Sequence, residues 1–227
     1  MKDYYVKNRW IFESIGNHRQ WVHDIVQQIK PKTFLELGTG IGDGYAKFIC
    51  EAMAENETEG QIFISYEICK ESFAVAEGVL NQYESFTKLH CDDMFNFFDD
   101  YKEIIPDMYL FDAGDERLYS DENPWSIYQE EYISPTRPGW KNDGKYYGEG
   151  SHFEKKISEN LDLFLKIQNN RSKTGTYVLL DDFFVGRGQY IAEYIVQNKE
   201  EFDSIWNFIS IVKDEATASS LALIQKK

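Results

Sequence analysis

Hydrophobic positions along this chain recur with two periods, and the period switches at regular intervals. Residues 17–29, NHRQWVHDIVQQI, carry Trp21, Val22, Ile25, Val26 and Ile29 at helical spacing. This predicts a helix capped by Asn17 and stopped by Pro31. Short apolar runs then predict buried strands: TFLEL (33–37), QIFISYE (61–67), SFTKLHC (85–91), DMYLFD (107–112) and TYVLLDD (176–182). Helical patterns lie between them: AKFICEAMAE (46–55), SFAVAEGVLNQY (72–83), the short MFNFFDDY (94–101) and SHFEKKISENLDLFLKI (151–167). Ser151 and Glu154 form a capping box for the last of these. QYIAEYIVQNKEEF (189–202) follows the fifth strand, and SIWNFISIV (204–212) and SSLALIQ (219–225) close the pattern with no helix between them.

Strands that alternate with helices predict an α/β fold with a doubly wound, seven-stranded sheet. The sheet is mostly parallel, with helices on both faces. The two final strands read as a hairpin, which makes the last strand antiparallel. One domain is expected over 1–227, with one irregular insertion at about 117–150. This insertion holds two Trp and five Tyr between residues 119 and 150. Loops of this length in a compact domain are usually functional lids or disordered. The alternatives are a segment folded onto its own core and a homodimer contact.

Composition narrows the function. Aromatic residues make up 16% of the 227 residues, enough to fill a large core. Lys plus Arg is 24 against 39 Asp plus Glu, a formal charge of −15. Such a surface repels a phosphate backbone, so no nucleic-acid partner is expected. The three cysteines, Cys50, Cys69 and Cys91, form no CxxC pair and read as reduced, mostly buried thiols. No apolar run reaches the ~20 residues of a membrane span. The expectation is a cytoplasmic protein with no membrane partner. The four histidines show no zinc-ligand spacing.

The chemistry sits at the predicted strand ends. After TFLEL come Gly38, Gly40, Gly42 and Gly44 at alternate positions, with Glu36 just before them. A dinucleotide fingerprint would need glycine where Asp43 stands, and a carboxylate there would repel a pyrophosphate. No Walker Lys-Ser or Lys-Thr follows. Glu67 ends the second predicted strand, where a carboxylate can accept two hydrogen bonds from a ribose diol. Asp92 and Asp93 end the third, where they can meet an adenine amino group. A nucleoside without phosphates, one carrying a cation, suits this acidic cleft. The plainer alternatives are a tight turn and solvated strand ends.

The run ELGTGIGDG, with Glu67 and Cys91-Asp92-Asp93 behind it, resembles the class I S-adenosylmethionine-dependent methyltransferases. The resemblance covers roughly residues 33–225 and implies a Rossmann-like sheet that binds S-adenosylmethionine (SAM). It places Glu36 near the methionine amino group, Gly38 and Gly40 against the cofactor, Glu67 on the ribose, and Asp92 or Asp93 at the adenine.

Asp112 and Asp115 follow the fourth strand, and Asp181 and Asp182 the fifth. Carboxylates converging there would repel one another, and a divalent cation would relieve this. The pattern is similar to the metal-dependent O-methyltransferases of catechol and macrolide-sugar type. That resemblance implies Mg2+ on Asp112, Asp181 and Asp182, binding two adjacent hydroxyls of a small-molecule acceptor. The alternative for these aspartates is helix capping. Asp115 stands where the sugar enzymes carry a histidine, as a base, a further ligand or neither. His152, at a helix start beside the aromatic segment, is the second candidate base. Arg187, in a Gly-Arg-Gly turn, is a candidate grip for an acceptor anion or an exposed residue. Other uses of the same fold are N-methyl transfer, aminopropyl transfer and cofactor binding without catalysis.

Overall fold

The computed structural model describes residues 12–112, 152–183, 188–214 and 220–227. Its chain order is β1 (Phe12–Ile15), α1 (His18–Ile29), β2 (Thr33–Leu37), α2 (Tyr45–Asn56), β3 (Ile62–Tyr66), α3 (Lys70–Leu80), β4 (Thr87–His90), α4 (Phe97–Asp100), β5 (Met108–Phe111), α5 (His152–Asn170), β6 (Tyr177–Leu180), α6 (Gln189–Gln197), α7 (Lys199–Ile205), β7 (Trp206–Asp214) and β8 (Ser220–Lys226). Single 3-10 turns follow α3 and precede α4.

The strands form one sheet in the order β1-β7-β8-β6-β5-β2-β3-β4. β8 runs antiparallel to both β6 and β7, and the other pairs are parallel. Seven of these strands are those the hydrophobic pattern predicts. The sheet has an eighth, β1, which pairs Phe12 with Ile211 at its edge. A four-residue segment is too short to show a period, and its partner lies some 200 residues downstream, so only the folded chain reveals it.

Both faces of the sheet are covered, which is why its strands read as continuous apolar runs. Along β2, Leu35 and Leu37 face a core with Phe97, Leu163, Phe164, Ile191 and Phe202 from α4, α5, α6 and α7. Phe34 faces a second core with Val22, Val26, Ile49, Met53 and Leu80 from α1, α2 and α3. Alternation along the strand puts Glu36 on this second face.

Asn17 caps α1 as predicted, its Oδ1 accepting from the Arg19 and Gln20 amides at 3.0 and 3.3 Å. The helix expected over 189–202 is two helices. Asn198 leaves helical geometry, and both its backbone amide and its Nδ2 donate to the Tyr194 carbonyl. The second helix then runs on to Ile205, so β7 starts two residues later than expected. Of the cysteines only Cys50 is buried, while Cys69 is half-buried and Cys91 exposed; all three are unbridged. No helix among the described residues is long and apolar enough to cross a membrane.

The chain winds outward from β2 through β3 to β4 and then returns to place β5 on the other side of β2. That reversal opens a crevice at the carboxyl ends of β2 and β5, the place where open α/β sheets take their ligands.

Candidate cofactor site

The glycine loop lies at that crevice. The Gly38 and Thr39 amides both donate to the Tyr66 carbonyl, at 3.1 and 3.2 Å, so the loop leaves β2 still anchored to β3. Gly38, Gly40 and Gly42 all have positive φ, at 101°, 57° and 79°. Two of these glycines do different work. A Cβ on Gly42 would lie 2.9 Å from Ala76 Cα, so its absence lets the loop close on α3. A Cβ on Gly40 would meet nothing within 4 Å. The loop backbone there borders open space, which a ligand can approach closely.

Two buried carboxylates hold this loop. Glu67 is 4% exposed, and its Oε2 accepts from the Gly40 amide at 2.7 Å while its Oε1 accepts from the Cys69 amide at 2.8 Å. An ionised carboxylate offers about four acceptor positions, so two amides do not exhaust its capacity as a group. Glu36 is 1% exposed and accepts from Ser65 Oγ at 2.7 Å. Ser65 Oγ lies 2.5 Å from Thr39 Oγ1, which links the buried acid to the loop. Burial, and then the charge of Glu67, push the Glu36 carboxyl up to about 8, against the opposing Ser65 hydrogen bond. The sequence names both glutamates but carries no sign of Thr39 or Ser65.

At the end of β4 the two aspartates separate. Asp93 Oδ1 accepts from the Phe95 amide at 2.9 Å and caps the following 3-10 turn. Asp92 is exposed, and hydrogen bonds from the Asp93 amide and then Asn96 hold its carboxyl below the usual range. Of the pair, Asp92 is the exposed one. Beneath this turn the His90 ring stacks on Tyr66 at 4.6 Å, and its Nε2 lies 2.8 Å from the Tyr101 hydroxyl. Tyr66 donates to Asp100 at 2.7 Å.

The carboxylates beyond β5 and β6 behave differently from expectation. Asp181 is 5% exposed and accepts from the Tyr45 hydroxyl at 2.9 Å. Tyr45 opens α2, so this bond ties the helix after the glycine loop to the end of β6. No local sequence signal joins two residues 136 positions apart. Asp182 adopts the left-handed conformation at φ 47°. Gly188 packs over this turn, where a Cβ would lie 2.7 Å from the Asp181 carbonyl oxygen. Among the described residues no group of three or more His, Cys, Asp or Glu side chains could hold a metal ion. Asp112, Asp181 and Asp182 are thus not brought together as a Mg2+ set, and one Asp181 oxygen accepts from Tyr45 instead. Asp115, Arg187 and the 117–150 segment lie outside the described residues. His152 begins α5, and its side chain also lies outside them.

No protein-family model matches the chain, and no curated protein matches it either. Solved structures do. The O-methyltransferase TomG from Streptomyces achromogenes, involved in tomaymycin synthesis and solved with SAM, superposes with a TM-score of 0.57. It shares 11% identity, over 92% of this chain and 79% of that one. An O-methyltransferase from Bacillus cereus, in complex with S-adenosylhomocysteine (SAH), also gives 0.57 at 11% identity, over 92% and 80%. An rRNA methylase from Streptococcus thermophilus gives 0.55 at 12% identity, over 91% and 94%. With the sheet order, the antiparallel last strand and the glycine loop at the reversal point, the chain has the fold of the class I SAM-dependent methyltransferases.

Proposed function

We propose that this chain is a SAM-dependent methyltransferase acting on a hydroxyl of a small molecule, a sugar or another vicinal diol. The observation that carries the reading is the buried Glu67 carboxylate, fixed by the Gly40 and Cys69 amides where the loop backbone borders open space. That arrangement suits a nucleoside with no phosphates: a diol can donate to the carboxylate, whereas a pyrophosphate would be repelled by it. Bound in this crevice, SAM supplies an activated methyl group. Glu67 would hold the ribose, Asp92 the adenine amino group and Glu36 the cationic end. The acceptor proton must leave to a base, and Asp115 and His152 are the candidates. The described donor set does not fit a resident Mg2+, so no step is assigned to one.

An acceptor of low molecular weight agrees with the charge of −15, which opposes RNA. Calorimetry should find micromolar binding of SAH and none of NAD. Glu67→Ala removes two hydrogen bonds to a charged acceptor, worth ~1.5–3 kcal/mol each, and should weaken SAH binding at least tenfold. Unchanged affinity would overturn the ribose assignment. Labelled methyl transfer to a panel of diols, amines and RNA then separates the acceptor classes, with label in RNA alone refuting the small-molecule reading.

A further inference from the structure

β1 runs parallel to β7, and β7 runs the same way as β6, so β1 ends at the carboxyl edge of the sheet. The first turn of α1 therefore stands at that edge, and His18 opens it. The His18 ring lies 5.3 Å from the ring of Tyr45, tilted by 49°. Tyr45 is buried and is the first residue of α2, directly after the glycine loop. Its hydroxyl donates to Asp181 Oδ1 at 2.9 Å, and the Asp181 amide donates to the Phe111 carbonyl at the end of β5. Two side-chain contacts thus join His18 to the ends of β5 and β6. The other histidines with described side chains are engaged elsewhere. His90 is held beneath the Asp92 turn by Tyr66 and Tyr101. His23 lies midway along α1, beside Asp24 and Glu55.

We propose that His18 takes the acceptor proton in methyl transfer, and that Tyr45, held by Asp181, positions its ring. The inference rests on the function proposed above. That reading puts adenosine with Glu67 and Asp92, beyond the ends of β3 and β4. The ends of β5 and β6, across the sheet order from these, are left for the acceptor, and His18, Tyr45 and Asp181 stand on that side. Tyr45 is fixed at its backbone by α2 and at its hydroxyl by Asp181, so it presents a set face to the imidazole. Histidine suits the task, since its neutral ring carries one nitrogen able to accept a proton near neutral pH. In the step itself the acceptor O–H proton passes to that nitrogen. The acceptor oxygen bonds the methyl carbon as the S–CH3 bond breaks, with that electron pair returning to sulfur. His18 then gives its proton to solvent.

The test uses the full chain, labelled SAM and the hydroxyl compound of the panel that takes most label. His18→Gln should lower kcat by about 10²–10⁴-fold, the usual worth of a general base, with SAH affinity unchanged by calorimetry. The parent's kcat should fall as pH is lowered, since only an unprotonated ring accepts, and the variant should lack this fall. Imidazole added to His18→Ala should restore part of the lost rate, which a merely structural role would not allow. Tyr45→Phe keeps the ring but loses the bond to Asp181, and should lower kcat by a smaller factor with the pH profile kept. A readout without turnover is the His18 ring resonance in the SAH complex, assigned by NMR from its own backbone. Adding the hydroxyl compound should shift it and leave the His23 resonance in place; this arm decides even if a variant does not fold. Full kcat in His18→Gln, a loss that imidazole does not relieve, or an unmoved His18 resonance overturns the proposal. A fall in SAH affinity that matches the fall in kcat overturns it too, because His18 would then be a cofactor contact. If SAH does not bind, or no hydroxyl compound takes label, the proposed function itself fails, and the inference falls with it.

Discussion

Glu36 shows how one residue couples the fold to pH. Its carboxyl sits near 8 in the folded chain, against 4.5 in the unfolded one, with burial as the main cause. Folded protein therefore holds this proton more tightly than unfolded protein. The group's contribution to stability is complete below about pH 4.5 and is lost as pH rises through about 8. At 1.36 kcal/mol per unit, the loss is on the order of a few kcal/mol. Glu36→Gln keeps an acceptor for Ser65 and cannot ionise. Its stability in urea should match the parent near pH 4.5 and exceed it by ~2–4 kcal/mol at pH 8.5. A difference that does not grow with pH would mean that Glu36 titrates normally.

At the scale of elements, the contact between the glycine loop and α3 is a tight joint of the site. Gly42→Ala would place a methyl group 2.9 Å from the Ala76 backbone, at a φ of 79°. A backbone atom of a packed helix yields little, so urea unfolding should show a loss of ~1–3 kcal/mol. Gly78, in the same helix, has nothing within 4 Å of a new Cβ. Gly78→Ala should instead stabilise by ~1 kcal/mol through helix propensity. Equal effects of the two changes would show that the loop does not press on α3. The Tyr45–Asp181 bond is a second joint, tying the start of α2 to the end of β6.

At the scale of the molecule, thirty-nine acidic side chains against twenty-four basic ones leave several carboxylates at the carboxyl edge of the sheet. Of those described, Glu67 and Asp92 accept from backbone amides and Glu36 and Asp181 from hydroxyls, and no group of three or more could hold a metal ion. Methyl transfer should therefore survive excess EDTA, measured with labelled SAM and the best diol of the panel. Loss of turnover in EDTA, restored by Mg2+, would mean that residues outside the described segments complete a metal site, with Asp115 the first to test. Asp115→Ala would then lower metal affinity as well as turnover.

Much of this architecture is written locally. Seven strands, the hairpin at the end, the cap at Asn17 and the glycine loop all follow from period, turn chemistry and spacing, which act over a few residues. The same holds for Glu36, Glu67, Asp92 and Asp93, since a residue at a strand end is placed by its own strand. Tertiary structure decided what those residues touch. The edge strand Phe12–Ile15 exists only because β7 arrives beside it. Ser65 meets Glu36 because β2 and β3 pair in one register, and a shift by one residue would turn Ser65 to the opposite face. Asp93 and Asp92 look alike in sequence, yet one is used up in capping and the other is exposed. Asp181 reads in sequence as a plain strand-end acid, yet Tyr45, 136 residues away, donates to its Oδ1. Protonation state belongs to this second group. A glutamate's charge depends on its solvent and its neighbours, and burial beside Glu67 is set by the packing of the sheet against α2, not by the letters around position 36.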